Sequence, residues 1–113
     1  MAFQSDFVYQ NGKEIFPRII SATTHTLSVE DNGAYLKFTS NSAITITVPK
    51  WLGIGFNCVI EQGGTGKITL DADAGVTINS VDGNLSVLNS QFAVASLIEP
   101  EAEILTFFGQ TEA

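Results

Sequence analysis

The sequence predicts an all-β protein: a single-domain antiparallel β-sandwich of jelly-roll type with an N-terminal hairpin arm. Three observations predict it. Apolar and polar residues alternate through several short runs, so each run has one face to bury. Turn signals rich in Gly, Asn and Asp separate the runs at short intervals, as in sandwiches and barrels. No helical period lasts beyond about one turn. A length of 113 residues fits one domain. Such a chain buries roughly two thirds of its unfolded surface without needing disulfide staples. The expected division is an arm over residues 1–22 and a sandwich module over residues 23–113.

Taken in order, Phe7-Val8-Tyr9-Gln10 and Lys13-Glu14-Ile15-Phe16 flank Asn11-Gly12. Asn-Gly between two apolar-containing runs is a strong hairpin signal, because both turn positions need positive φ. Pro17 is expected to end the second arm. Large apolar groups lie on both faces of this hairpin, which reads either as a strand pair in the core or as an arm that docks on a partner. Ile19 to Val29 is Thr- and Ser-rich and extended, and Glu30-Asp31-Asn32-Gly33 is a turn. In Ala34 to Thr39, Ala34, Leu36 and Phe38 point inward. In Ile44 to Val48, the Ile and Val side chains share one face and Thr45 and Thr47 the other, until Pro49 stops the strand. Phe56, Cys58 and Ile60 share the inward face of the next run. The loop Gly63-Gly64-Thr65-Gly66 is then expected to reverse the chain, so that Ile68 and Leu70 return to the buried side. Val76 to Asn79 and Leu85 to Leu88 are short strands around Asp82-Gly83. Gln91 to Ile98 reads as a strand covered on both faces, Glu99-Pro100-Glu101 as an exposed turn, and Ile104 to Phe108 as the last strand.

Composition narrows the function. Twelve Asp plus Glu stand against five Lys plus Arg. That balance argues against non-specific nucleic-acid binding, which depends on neutralised phosphates, and against an anionic membrane surface. No signal-peptide pattern and no bilayer-length apolar run is present, and one cysteine excludes an internal disulfide framework. A soluble protein made in a reducing cytoplasm is the expectation. Charged residues make up only 15% of the chain. A lone small domain carries more, so part of the surface is expected to be hidden against other chains.

Candidate chemistry is sparse. His25 is the only histidine, which excludes a multi-histidine metal site within one chain. In Thr23-Thr24-His25-Thr26 it reads as a structural residue on an exposed edge. Cys58 alternates with apolar neighbours and reads as a small core residue. Gly63-Gly64-Thr65-Gly66-Lys67 fails as a phosphate loop: Glu61 stands where the first Gly belongs, Ile68 replaces the metal-binding hydroxyl, and a strand follows. Asp71-Ala72-Asp73-Ala74-Gly75 lacks the further ligands of a calcium loop. Glu99, Glu101 and Glu103 alternate as a solvated face or a partner's salt-bridge strip. No catalytic residue, cofactor site or metal site is predicted, and the protein is expected not to be an enzyme. Trp51, the only tryptophan, is either a lid on the core or an interface anchor.

The succession from Ala43 onward carries a resemblance. A strand ends in Val48-Pro49. There follow Leu52-Gly53-Ile54-Gly55-Phe56-Asn57-Cys58-Val59-Ile60-Glu61-Gln62, then Gly64-Thr65-Gly66-Lys67-Ile68-Thr69-Leu70, then Ala74-Gly75-Val76-Thr77-Ile78-Asn79-Ser80. This resembles a β-rich module of tailed-bacteriophage virion proteins, found in capsid decoration (cement) proteins, head fibres and tail appendages. The likeness covers roughly residues 23 to 109. It implies a virion structural protein with no catalytic residues. Read as complete from Met1 and nearly all module, the chain lacks the shaft that a tail fibre needs. It is therefore expected to be a decoration protein on the outer surface of a phage head, made in the host cytoplasm, bridging subunits of the major capsid protein and stabilising the shell. Phe3, Phe7, Tyr9, Phe16 and Trp51 are the capsid-contact candidates. A closed homo-oligomer is expected, a trimer first by the likeness and a dimer next. The alternative is a tail or head-fibre appendage that binds a host glycan on Trp51, Tyr35 or Tyr9.

Overall fold

A computed structural model describes residues 17–81 and 86–112. Its named elements are all β-strands, apart from a 3-10 turn over Val29–Asp31. The strands are β1 (Pro17–Ile20), β2 (Thr24–Thr26), β3 (Tyr35–Phe38), β4 (Ile44–Val48), β5 (Asn57–Gln62), β6 (Ile68–Ala72), β7 (Thr77–Asn79), β8 (Val94–Glu101) and β9 (Ile104–Gly109). They form two walls. The broad wall runs β1-β3-β5-β8-β9-β7 and the narrow wall β2-β4-β6.

The antiparallel sandwich is not what forms. The sheets are mostly parallel and wind into a β-solenoid of about three turns. From β1 to β6 successive strands alternate between walls, and neighbours one turn apart pair in parallel: β1 with β3, β3 with β5, β2 with β4, and β4 with β6. In the later turns the same sequence spacing separates partners in both walls, Tyr35 from Val59 and Ile44 from Ile68. Parallel strands need a crossover, and here the opposite wall supplies it. The physical reason for the misreading is that period-two alternation says which face of a strand is buried. It does not say which strand lies alongside.

The glycine cluster after β5 shows the difference most sharply. It is a corner between walls and not a hairpin turn, because β6 pairs with β4. Gly66 N–H donates to the Ser40 carbonyl (3.0 Å), and Thr65 N–H to Asn41 Oδ1 (3.0 Å). A Cβ on Gly64 would lie 2.5 Å from the carbonyl oxygens of Thr39 and Ser40, and one on Gly66 would overlap that of Ser42. The glycines let one corner rest directly on the corner of the turn before it.

Two stacks, apolar but for Gln62, fill the space between the walls. Leu36 lies beside Ile60 and Phe38 beside Gln62 in the broad wall, while Ile44 lies beside Ile68 and Ile46 beside Leu70 in the narrow one. All eight are buried. Burying each apolar side chain contributes about 1.5–3 kcal/mol, and the solenoid repeats that gain on every turn. Cys58 is part of this core, and burial pushes its thiol up to about 12, so it is held as an inert thiol.

The C-terminal end is closed. In an unbroken solenoid β7 would follow β5 in the broad wall. Instead the antiparallel hairpin β8–β9 stands between them, with β7 parallel to β9 on the outside. The segment at residues 86–88 covers β6: Leu70 N–H donates to the Ser86 carbonyl (2.8 Å) and Leu88 N–H to the Ile68 carbonyl (3.1 Å). In each wall the last strand of the parallel ladder, β5 or β6, is thus covered by an antiparallel neighbour where the ladder would otherwise stay open. Strand β8 runs through Glu99 to Glu101, so the expected turn there is strand. Glu99 points inward and is buried. The run before it is covered on one face only, since Ile98 is exposed.

At the other end Asp31 ties the first turn together. It is buried and pairs with Arg18 of β1. His25 Nε2 of β2 lies 3.1 Å from Asp31 Oδ2, and Ser28 N–H donates to the same oxygen (3.0 Å). His25 is therefore half-buried and partnered, not set on an exposed edge, and its ring meets Phe38 edge-on at 5.7 Å. Residues 17–20, read from sequence as the end of the arm, are β1 of this first turn.

Candidate docking surface

The corner between β4 and β5 has a regular logic. Pro49 stops the β4 ladder. Trp51, Gly53 and Gly55 then take positive φ (73°, 103° and 94°), which folds the chain tightly enough to alternate between inside and outside. Leu52 and Phe56 plug the core, whereas Trp51 and Ile54 project outward, 77% and 70% exposed. Of the two readings of Trp51, a lid on the core does not fit that exposure.

The tryptophan is held in this position. Its backbone N–H donates to both carboxylate oxygens of Glu103, at 3.2 and 3.3 Å. Lys50 Nζ lies 5.3 Å from the ring centroid, within range of a cation–π attraction. The Lys50 stem in turn passes over Gly75, where a Cβ would lie 3.2 Å from Lys50 Cε. Glu103 is a hub for several elements: its own N–H donates to Glu99 Oε2 (3.0 Å), and its carbonyl accepts from Thr77 N–H (2.9 Å). Gly55 N–H donates to the Glu99 carbonyl (2.7 Å). The corner is thus braced from β7 and from the β8–β9 turn, so an apolar tip stands on a fixed base. The preceding corner stacks below it through Asn57 N–H to Asn32 Oδ1 (3.1 Å) and Gly33 N–H to the Asn57 carbonyl (2.7 Å).

Of the five contact candidates read from sequence, Trp51 lies on this corner. Phe3, Phe7, Tyr9 and Phe16 lie outside the described residues. Tyr35 sits elsewhere, on the outward face of the broad wall. Its hydroxyl donates to Glu61 Oε1 (2.7 Å), and that bond, with burial, pushes it up to about 12. Asp71 and Asp73 are exposed. Among the described residues no group of three or more His, Cys, Asp and Glu could hold a metal ion, and no helix is long and apolar enough to cross a membrane. Sequence reasoning missed Ile54. Its signal was present: an apolar residue between two glycines sits at a turn tip with nothing of its own to bury against.

Compared with family models and with curated proteins, the chain matches none of either.

Proposed function

We propose that this protein is a capsid decoration protein of a tailed-bacteriophage virion, binding the outer surface of the head and bridging subunits of the major capsid protein. The observation that carries the docking part is the braced corner with Trp51 and Ile54 turned to solvent. A rigid aromatic anchor loses little entropy on contact and is the typical energetic centre of an interface. The sequence likeness supplies the phage context. A protein that binds the assembled shell and not its free subunits shifts assembly toward the shell by mass action. Many copies then add avidity.

The test is binding of the full chain to heads stripped of their decoration. Trp51→Ala with Ile54→Ser is expected to lose about 2 kcal/mol or more of binding, as hot-spot truncations do. Deletion of residues 1–16 tests the four aromatics there. Full binding by both folded variants would remove this reading. The second reading, an appendage that binds a host glycan, is favoured by the same exposed indole, since a flat ring beside a lysine is a platform for a sugar face. A glycan array with wild type and Trp51→Ala separates the two.

A further inference from the structure

We propose that Asp6-Phe7-Val8 adds a strand to the free edge of β2 and caps the N-terminal end of the solenoid. The two ends differ. At the C-terminal end β5 and β6 each have an antiparallel neighbour. At the N-terminal end, among the described residues, β1 pairs only with β3 and β2 only with β4. The β1 edge is blunted. Thr39 N–H donates to the Ile20 carbonyl (3.0 Å), so by alternation Pro17 and Ile19 face the free side, and Pro17 has no N–H to offer. The β2 edge is not blunted. Thr45 N–H donates to the Thr23 carbonyl and Leu27 N–H to the Thr47 carbonyl, both at 3.0 Å, which turns the backbone groups of Thr24 and Thr26 to the free side. Such an edge is a template for a further strand. The inward residue of β2, His25, still has 23% of its side chain exposed there.

The length of chain before β1, and where it joins the fold, identify the occupant. Residues 1–16 lie outside the described residues, and they join at Pro17, at the open end. Strands β1 to β6 alternate between walls, so a strand before β1 belongs to the narrow wall, beside β2. In the first turn Pro17 lies beside Tyr35, 18 positions on. The same step sets Asp6, Phe7 and Val8 beside Thr24, His25 and Thr26, with Tyr9 level with Leu27. Residues 9–16 then form a corner as long as those over 27–34 and 49–56, which also lead from the narrow wall to the broad one. Asn11-Gly12 falls inside it, and the two later corners likewise turn on positive-φ glycines, Gly33 in one, Gly53 and Gly55 in the other. Side-chain parity selects the step. Phe7 and Tyr9 point inward over His25 and Leu27, while Asp6 and Val8 join the outward row. The 21-residue step from Thr24 to Thr45 would instead drive Gln4 and Asp6 into the core, where polar groups are costly. A strand tethered one corner away has an effective concentration of about a millimolar at the edge, above that of a separate chain in dilute solution. The cap does not rest on the decoration reading, but it withdraws Phe7 and Tyr9 from the head-contact candidates.

Amide hydrogen exchange and nuclear Overhauser contacts in the full chain test the cap. Wild type is expected to show a Phe7–His25 ring contact and slow exchange at the Thr24 and Thr26 amides. Phe7→Ser and Tyr9→Ser are expected to speed exchange at those two amides about tenfold or more. Val8→Ser, on the outward side of the same strand, is expected to change it less than about twofold. The Ile46 amide, which alternation turns toward β6, stays protected in each variant if the fold is kept. Thr24 and Thr26 amides that exchange freely in wild type would overturn the proposal, as would a Val8 effect equal to the Phe7 effect. Protection that rises with protein concentration would overturn it too, because the strand would then come from another copy. Head binding is measured separately, so the cap and the Trp51 corner can fail independently.

Discussion

The broad and narrow walls are built from the same turns of chain, share one core and differ only outside. Inward, both present stacked Leu, Ile and Phe. Outward, the narrow wall shows five threonines and Asp71, whereas the broad wall mixes Ile19, Tyr35, Val59, Val94, Ile98 and Phe108 with Asn57, Ser96, Thr106 and the Lys37–Glu61 ion pair. Both choices suit a strand, because β-branched and aromatic side chains fit a pleated surface equally. Local preference therefore cannot explain the contrast. Threonine fills the pleat with its methyl group while its hydroxyl stays wet, as a wall left facing water requires. The broad wall's larger side chains leave more apolar surface in water than threonines do.

The largest effect is expected where the two walls are tied by charge. Asp31 joins Arg18 on one wall to His25 on the other. Asp31→Ala leaves the Arg18 guanidinium without its buried partner, so a loss of about 3–5 kcal/mol is expected in urea unfolding. A change below about 1 kcal/mol would mean that apolar stacking alone holds the first turn, as it does the later ones.

The shared interior predicts symmetry. Ile60→Ala in the broad wall and Ile46→Ala in the narrow wall each empty a fully buried site. Each should cost about 2–5 kcal/mol. If one wall loses much more than the other, the walls are not equal halves of one core.

The faces of the strands were readable in the sequence, and the partners were not. Leu36, Phe38, Ile44, Ile46, Ile60 and Ile68 are buried where alternation placed them. A hairpin and a solenoid corner nonetheless present the same local signal, a glycine-rich turn between two alternating runs. The discriminating evidence was longer in range: Ile44-Thr45-Ile46-Thr47 is echoed by Ile68-Thr69-Leu70-Asp71 one turn later, and such spaced self-similarity marks stacked turns. Trp51 could be picked out by its rarity in a loop. Its brace by Glu103 crosses more than fifty positions of sequence, a distance over which no local pattern reports. Asp31 read as an ordinary turn residue because its partners come from two different strands.

A smaller, pH-dependent difference sits at the same tie. Burial, and then the nearby Arg18 charge, hold the His25 pKa below its ordinary 6.5. The unfolded chain therefore takes up its proton first as pH falls. Above 6.5 both states are neutral and the contribution is constant. From there down to the folded-state value stability declines, with a slope of at most about 1.4 kcal/mol per pH unit for one proton. Urea midpoints between pH 7.5 and 5 read this slope, and His25→Asn should flatten it. An unchanged slope in that variant would assign the effect to other groups.

The smallest effect is expected on the narrow wall's exterior, and it bears most directly on the contrast between the walls. Thr45 lies between Thr24 and Thr69 in one outward row. Among the described residues its hydroxyl has no protein hydrogen bond, so Thr45→Val exchanges a wet hydroxyl for a methyl group of similar shape. Valine is at least as good a strand former, and a stability change within about 0.5 kcal/mol is expected, as for other exposed positions. Solubility is the sharper readout. Adding Thr69→Val and Thr47→Val would give the narrow wall an apolar stripe like its counterpart's. If an apolar stripe on a sheet face drives association, the triple variant should self-associate more strongly than wild type in sedimentation equilibrium. Association unchanged by all three valines would mean that flatness and apolar character do not suffice to make a sheet face associate.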